Sequence, residues 1–326
     1  MRICLVSHFE DNPAKGDIGT KNVAVYLSKE LSKNHEVMKT SVRNVKSWRY
    51  VRAFKPQIIH FVLGPSTLGF VIAKTFSLYY HNAKIIMSAP NPSYLPLKGV
   101  IPLFKPNLIL VQSWESEKMF VDLGLRTRFL PNGVDVERFV PISEDFKKRL
   151  RRKYGIDEGR FVVLHVGPII KGRTIQLLKE LQNKETQVIV IGRRAPMEKD
   201  LYRLLEKAGC LIWTNRFEHI EDVYALSDCY VFPTSPKNKT KSIELPLSVL
   251  EAMSCNLPVI TTKFGALPRI FEKDRDGLFF VENEEDIYKF MEILKNGDTE
   301  VRTREMILPY SWKNVIGRLE KIYKEA

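Results

Sequence analysis

Two glutamates and a proline in the run SIELPLSVLEAM carry the sharpest chemical signal in the chain. Proline suits the first turn of a helix, because the N–H it lacks would go unpaired there in any residue. The spacing predicts a helix opening at Pro246, with the amides of Leu247, Ser248 and Val249 pointing out of its N-terminus. Such an end attracts anions, phosphate above all. Glu244 lies just before the helix and Glu251 inside it. Were both helical, their separation would be ~700° of turn and ~10.5 Å of rise, which sets them on one face. Amides for a diphosphate and carboxylates for sugar and ribose hydroxyls are what a sugar nucleotide needs. The same residues also suit an ordinary βαβ unit with solvated glutamates, and spacing alone does not choose.

Strands must hold that helix in place. An apolar run at 229–232 precedes it, followed by a polar loop at 233–242 that carries Lys237, Lys239 and Lys241; a second apolar run at 258–261 follows it. The same alternation fills the chain. Short apolar runs at 2–7, 36–40, 57–62, 84–88, 107–111 and 127–131 are separated by amphipathic segments, and the pattern resumes at 161–166, 187–191 and 210–214. Strands alternating with helices predict parallel sheets with right-handed crossovers. Ligands of such sheets bind beyond the carboxyl ends of the strands. His60 and Ser88 fall at such ends and are expected to line a cleft on the acceptor side. Gly16 and Gly19 flank the start of the first helix, where close backbone approach to a ligand is possible; the third glycine of a dinucleotide fingerprint is absent. Ser113 opens the helix SWESEKMF in the manner of a helix cap.

The chain of 326 residues is long enough for two domains. Its net charge is +13, unevenly placed: residues 1–150 hold 22 basic against 12 acidic side chains, and residues 51–100 hold five basic and no acidic one. A basic half points to nucleic acid, an anionic membrane surface or a phosphorylated substrate. Neither zinc-ligand spacing nor a basic recognition helix supports nucleic acid, so no nucleic-acid partner is expected. The four cysteines are far apart and fit buried reduced thiols. MRICLVSHFED is too short in its apolar part for a signal peptide, and the longest apolar run, about 61–80, is broken by Gly64, Pro65, Gly69 and Lys74. The expectation is a cytoplasmic protein, at most peripheral on the inner face of a membrane. The helix near 66–79 is apolar nearly all round, which suits either core or a surface resting on lipid.

The run ELPLSVLEAMSCNLPVITT, with FGALPRI and DGLFF behind it, resembles the donor half of retaining nucleotide-sugar glycosyltransferases of family 4, which have the GT-B fold. The resemblance extends to FLPNGVDVERFVP at 129–141, to the Lys-Gly of VGPIIKGR at 166–173 and to YSWKNVIGRLEKIY at 310–323. It implies an α/β protein with two Rossmann-like domains whose parallel sheets face an inter-domain cleft: an acceptor-side domain at 1–142, a nucleotide-sugar domain at 160–305 and a last helix at 306–326 crossing back to the first domain. It implies transfer of a sugar from a nucleotide-diphosphate donor to an acceptor hydroxyl with retention, without a metal and with no cofactor beyond the nucleotide-sugar co-substrate. The basic first half fits a lipid-linked glycan acceptor and contact with an anionic membrane.

By the same resemblance Lys171 would contact the diphosphate and Glu244 the donor sugar, both as catalytic residues. Glu251 would bind the ribose hydroxyls, and Leu247 and Ser248 would give amides to the phosphates. Gly19 and Thr20 would face the phosphates from the first domain, and Trp213–Arg216 would lie near the base. Three departures stand out. Pro168 occupies the place of an arginine, which leaves Arg173, Arg193 or the loop lysines as replacement cations, Arg173 being closest in sequence. Ile243 stands where the family has a glutamate, so Glu244, one step late, either reaches the donor sugar or faces solvent. MSAPNPS at 87–93 lacks the histidine often found there. These departures motivate an alternative: a catalytically weakened relative that binds a sugar nucleotide or a partner transferase without turnover. A GT-B epimerase is a third reading, against which the PNGVD and EAM segments argue.

Overall fold

The computed structural model describes residues 1–9, 18–41, 48–89, 98–192, 197–215, 217–235 and 244–326. Six short strands form the first sheet: β1 (Arg2–Ser7), β2 (Glu36–Ser41), β3 (Ile58–Val62), β4 (Lys84–Ser88), β5 (Leu108–Val111) and β6 (Thr127–Phe129). All neighbours are parallel, in the order β2-β1-β3-β4-β5-β6. The crossovers are helices α1 (Ile18–Leu31), α2 (Trp48–Phe54), α3 (Thr67–Tyr79) and α4 (Trp114–Asp122), with a 3-10 turn at Lys98–Phe104. Every residue of β3 is buried, because a parallel strand is covered on both faces and therefore reads as an unbroken apolar run.

The second half repeats the plan. α5 (Glu144–Lys153) leads into β7 (Phe161–Val166), followed by α6 (Leu178–Leu181), β8 (Thr186–Ile191), α7 (Lys199–Lys207), β9 (Leu211–Trp213), α8 (Ile220–Leu226), β10 (Cys229–Phe232), α9 (Leu247–Ser254), β11 (Val259–Thr261), α10 (Leu267–Ile270), β12 (Leu278–Phe280) and α11 (Glu284–Asn296). The order β12-β11-β10-β7-β8-β9 reverses direction between β7 and β10. Such a reversal opens a crevice beyond the strand ends, and ligands of doubly wound sheets bind there. This is the two-domain Rossmann-like GT-B fold. The crossover from β7 to β8 holds only a short helix: Thr174 takes a left-handed conformation (φ 57), and two 3-10 turns occupy Lys171–Arg173 and Ile175–Leu177 before α6 begins.

After α12 (Thr303–Ile307), the last helix, α13 (Trp312–Glu325), returns to the first sheet. Its buried residues Trp312, Val315, Ile316, Leu319 and Tyr323 recur at helical spacing and join Ile3, Leu5, Val23 and Leu27 in one core. The PNGVD segment explains itself here. A Cβ on Gly133 would lie 2.6 Å from the Trp312 ring, so only glycine lets the linker pass under α13. Val134 pairs with Ser311, and Tyr26 of α1 stacks on Trp312 at 5.2 Å. The two halves are thereby tied along the linker, and their strand ends are brought together at one turn.

Candidate functional site

That turn is the one before α9, reached by β10 on one side and by β5 and β6 on the other. Glu244 sends its side chain across to the first domain. The hydroxyls of Ser113 and Ser116 both donate to its Oε1 at 2.5 Å, and the Ser113 N–H donates to Oε2 at 3.2 Å. Burial pushes the carboxyl above its ordinary range, while the serine donors pull it back. The Glu244 carbonyl accepts the Ala266 N–H at 3.0 Å. Gly265, at φ 55, packs so tightly on that carbonyl that a Cβ would lie 2.1 Å from its oxygen, which accounts for the glycine of FGALP. One residue on, the Leu245 carbonyl accepts from Asn132 Nδ2 at 3.1 Å, and Asn132 Oδ1 accepts from Gln112 at 2.8 Å. Arg269 of α10 completes the contact. It pairs with Glu117 at 2.8 Å, donates to the Ser113 carbonyl at 3.2 Å and lies over the rings of Trp114 and Phe129. Glu244 therefore does not face solvent: it is buried, and three donors of the other domain hold its carboxylate.

α9 itself opens one residue later than proline chemistry predicts. Pro246 is the residue flanking the helix (φ −64, ψ 117), and Leu247 and Ser248 head its first turn. The Val249 N–H closes on the Pro246 carbonyl at 3.2 Å, so it is not among the outward amides. Ser248 hydrogen-bonds the Tyr230 hydroxyl, which in turn donates to the Val166 carbonyl at 3.3 Å. The head of α9 is thus fastened to β10 and β7, the two strands at the reversal point. Glu251, on the next turn of the helix, is partly buried and accepts the Tyr224 hydroxyl on Oε2 at 2.7 Å. Burial raises its carboxyl above the usual range; the tyrosine and the nearby Arg138 lower it. Arg138 is held by Glu221 at 2.7 Å and by the Tyr26 hydroxyl of the first domain.

The two cations of the Lys-Gly segment part company. Arg173 is buried, its guanidinium 5.8 Å from the Phe232 ring centre and its carbonyl accepting from Thr234 at 3.5 Å. It therefore sits at the crevice between β7 and β10, where Pro168 offers no charge. Lys171 points outward: its side chain is 77% exposed and lies 4.0 Å from Glu198, which also accepts the Lys171 N–H at 3.0 Å. At the end of β9 a cavity of about 410 Å³ is lined by Trp213, Thr214, Asn215, Phe217, Tyr154 and Lys153. Arg216, expected there, lies outside the described residues, as do Arg193, Ile243 and the loop lysines.

On the acceptor side, Gly19 and Thr20 form the first turn of α1, and Thr20 is buried. His60 does not line a cleft. It is fully buried, with Nδ1 on the Tyr323 hydroxyl and Nε2 on Ser88 Oγ, both at 2.7 Å. Burial pushes its pKa down to about 3, so the ring is neutral. It joins α13 to the first sheet. Ser88 also borders a small pocket of about 20 Å³ with Gln112, Asn132 and Trp312.

Sequence reasoning missed Ser116, Asn132, Arg269 and Tyr224. Only Ser113 left a trace, as a helix cap: its hydroxyl does accept the Ser116 N–H at 3.0 Å. The residue three along from it is a serine, however, and that hydroxyl serves the other domain.

Among known proteins, the family described as Glycosyl transferases group 1 matches residues 161–296. The sulfoquinovosyl transferase of Arabidopsis thaliana is 30% identical over 282 residues, covering 79% of this chain and 52% of that protein. The UDP-Gal:alpha-D-GlcNAc-diphosphoundecaprenol alpha-1,3-galactosyltransferase of Escherichia coli is 24% identical over 188 residues, covering 53% of this chain and 45% of that protein. The chain spans about half the length of these relatives. Among solved structures, Anabaena HepE in complex with UDP-glucose superimposes with a TM-score of 0.77 at 15% identity, over the whole of both chains.

Proposed function

We propose, from the match of residues 161–296 to the group 1 glycosyl transferases and the likeness to the Arabidopsis sulfoquinovosyl transferase, that the chain is a glycosyl transferase of that group and moves a sugar from a nucleotide-diphosphate donor to an acceptor hydroxyl, with retention and without a metal. The observation that carries this reading is the head of α9. It stands at the reversal point of the second sheet, with Arg173 by the Phe232 ring of β10, Ser248 and Arg173 both acting on Tyr230, and Glu251 one turn along. The diphosphate would lie between the Leu247 and Ser248 amides and the Arg173 guanidinium, with Lys171 swinging in from solvent. Glu251 would take the ribose hydroxyls and the cavity at Trp213 the base. A helix N-terminus and a bidentate cation stabilise charge as it develops on the leaving diphosphate, and positioning supplies most of the remaining rate. HepE, a structural neighbour, binds UDP-glucose, which supports a nucleotide-sugar donor.

The acceptor is proposed to be lipid-linked and the protein to work peripherally at a membrane. Support comes from the basic first half and from the diphosphoundecaprenol in the name of the E. coli relative. A second reading, a binder without turnover, is favoured by the engagement of Glu244 with Ser113 and Ser116 and by Pro168. Thermal unfolding with UDP and with GDP tests the site: ligand at about 100 times its dissociation constant adds about 2.7 kcal/mol. Silence with both nucleotides counts against both readings. Sugar release or transfer from a labelled donor, measured with and without EDTA, separates enzyme from binder and tests metal independence.

A further inference from the structure

α3 has the wrong polarity for a helix that meets water. Phe70, Ala73 and Phe76 face the core, as packing on a sheet requires. The other side carries Leu68, Leu78 and Tyr79, and the neighbouring 3-10 turn adds Leu103; these four are between 61 and 73% exposed. Val71 continues the stripe, since Leu68, Val71 and Leu78 fall on one side of the helix. Single exposed leucines are ordinary, but a continuous stripe of them marks a contact surface. α2 packs beside α3 through the Tyr80 hydroxyl on the Trp48 carbonyl, at 2.9 Å, and the Trp48 ring on Phe76. It contributes exposed Arg49, Tyr50 and Arg52. Lys74 lies on α3 itself, and residues 51–100 contain no acidic side chain.

We propose that this face, the outer side of α3 with Leu103 and flanked by α2, docks on an anionic lipid surface. The apolar stripe enters the headgroup boundary, and Lys74, Arg49 and Arg52 meet lipid phosphates. This deepens the reading of a lipid-borne acceptor and rests on it. A helix of 13 residues is too short to cross a bilayer, and among the described residues no helix is long and apolar enough to do so; lying in the interface is the remaining mode. Charge decides the occupant. A second copy would bring the same basic surface against itself, whereas an anionic membrane complements it.

The test is flotation of the full chain with vesicles of phosphatidylcholine alone and of phosphatidylcholine mixed with phosphatidylglycerol. The parent should float with the mixed vesicles and far less with the neutral ones. Leu68→Ser with Leu78→Ser should lower partitioning by about tenfold per leucine. Lys74→Gln should lower it about fivefold, and only at low salt. All variants should keep the parent's thermal shift with UDP or GDP. A parent that fails to float, or a double variant that floats like the parent, overturns the proposal. So does a parent dimer that the leucine substitutions convert to monomer, since the face then belongs to a second copy. Loss of every nucleotide response with vesicle binding intact would sink the donor reading and leave the surface standing.

Discussion

Glu244 and Glu251 stand at either side of the same helix start, and their surroundings divide them. Glu244 receives three hydrogen bonds from the opposite domain and has its carbonyl clamped by Gly265 and Ala266. Glu251 receives one, from Tyr224 of its own domain, which leaves Oε1 open among the described residues. Burial raises both carboxyls. What separates them is the number and origin of the donors already in place: a carboxylate held by three donors of the other domain fastens, and one held by a single hydroxyl has more acceptor capacity left for a ligand hydroxyl. Position within a motif does not make that distinction; the partners do.

The comparison breaks most easily at Glu251. Glu251→Ala should weaken nucleotide binding by roughly 10- to 100-fold, the worth of a hydrogen bond to a charged group, as read by calorimetry with UDP and GDP. Glu251→Gln keeps an acceptor for Tyr224 and should lose less. Binding equal to the parent in the alanine variant would remove Glu251 from the site. Next in size is Arg173→Ala, expected to cost roughly tenfold in diphosphate affinity. Lys171→Ala should cost less, because its exposed side chain loses more freedom on binding. The reverse order would mean that the outer lysine, not the buried arginine, compensates for Pro168.

Glu244→Ala should produce the opposite pattern. It strands the donors of Ser113 and Ser116 at a buried contact, so stability should fall by about 2 kcal/mol, measured as a lower urea midpoint at unchanged slope. Nucleotide affinity should stay within about threefold. An intact midpoint with lost binding would return Glu244 to the donor site.

Much of this architecture was legible. Buried parallel strands such as Phe161–Val166 announce themselves as apolar runs of the right length, and the helix after Pro246 is placed to within one residue. His60 shows where reading stops. It was expected at a strand end but is the middle residue of β3, and the apolar run does not say which helix covers it: α13, more than 250 residues later, supplies Tyr323 as its lid. The same holds for Glu244: its partners lie 128 and 131 residues upstream, and no local pattern records a contact made only after two domains meet. The shortness of the helix between β7 and β8 was hidden differently, in one left-handed threonine, Thr174, whose type gives no warning.

The smallest effect is also the most direct test of burial at Glu244. Its folded-state pKa is raised above the reference value of 4.5. As pH climbs from 4.5 to the raised value, the native protein therefore keeps a proton that the unfolded chain has released, and stability falls. Glu244→Gln carries no such proton. The stability of the glutamine variant relative to the parent should accordingly rise with pH from about 4.5 upward and then level off. His60 and His165, lowered by burial to about 3 and about 4, act in the other direction, taking stability away as pH falls below 6.5. Both proteins carry them, so their contribution cancels in the difference. Glu115, Glu117 and Arg269 also face the turn and are common to both proteins. A difference between urea midpoints that stays flat across this range would show that the carboxyl is not buried between the domains, and its contrast with Glu251 would rest on the hydrogen-bond count alone.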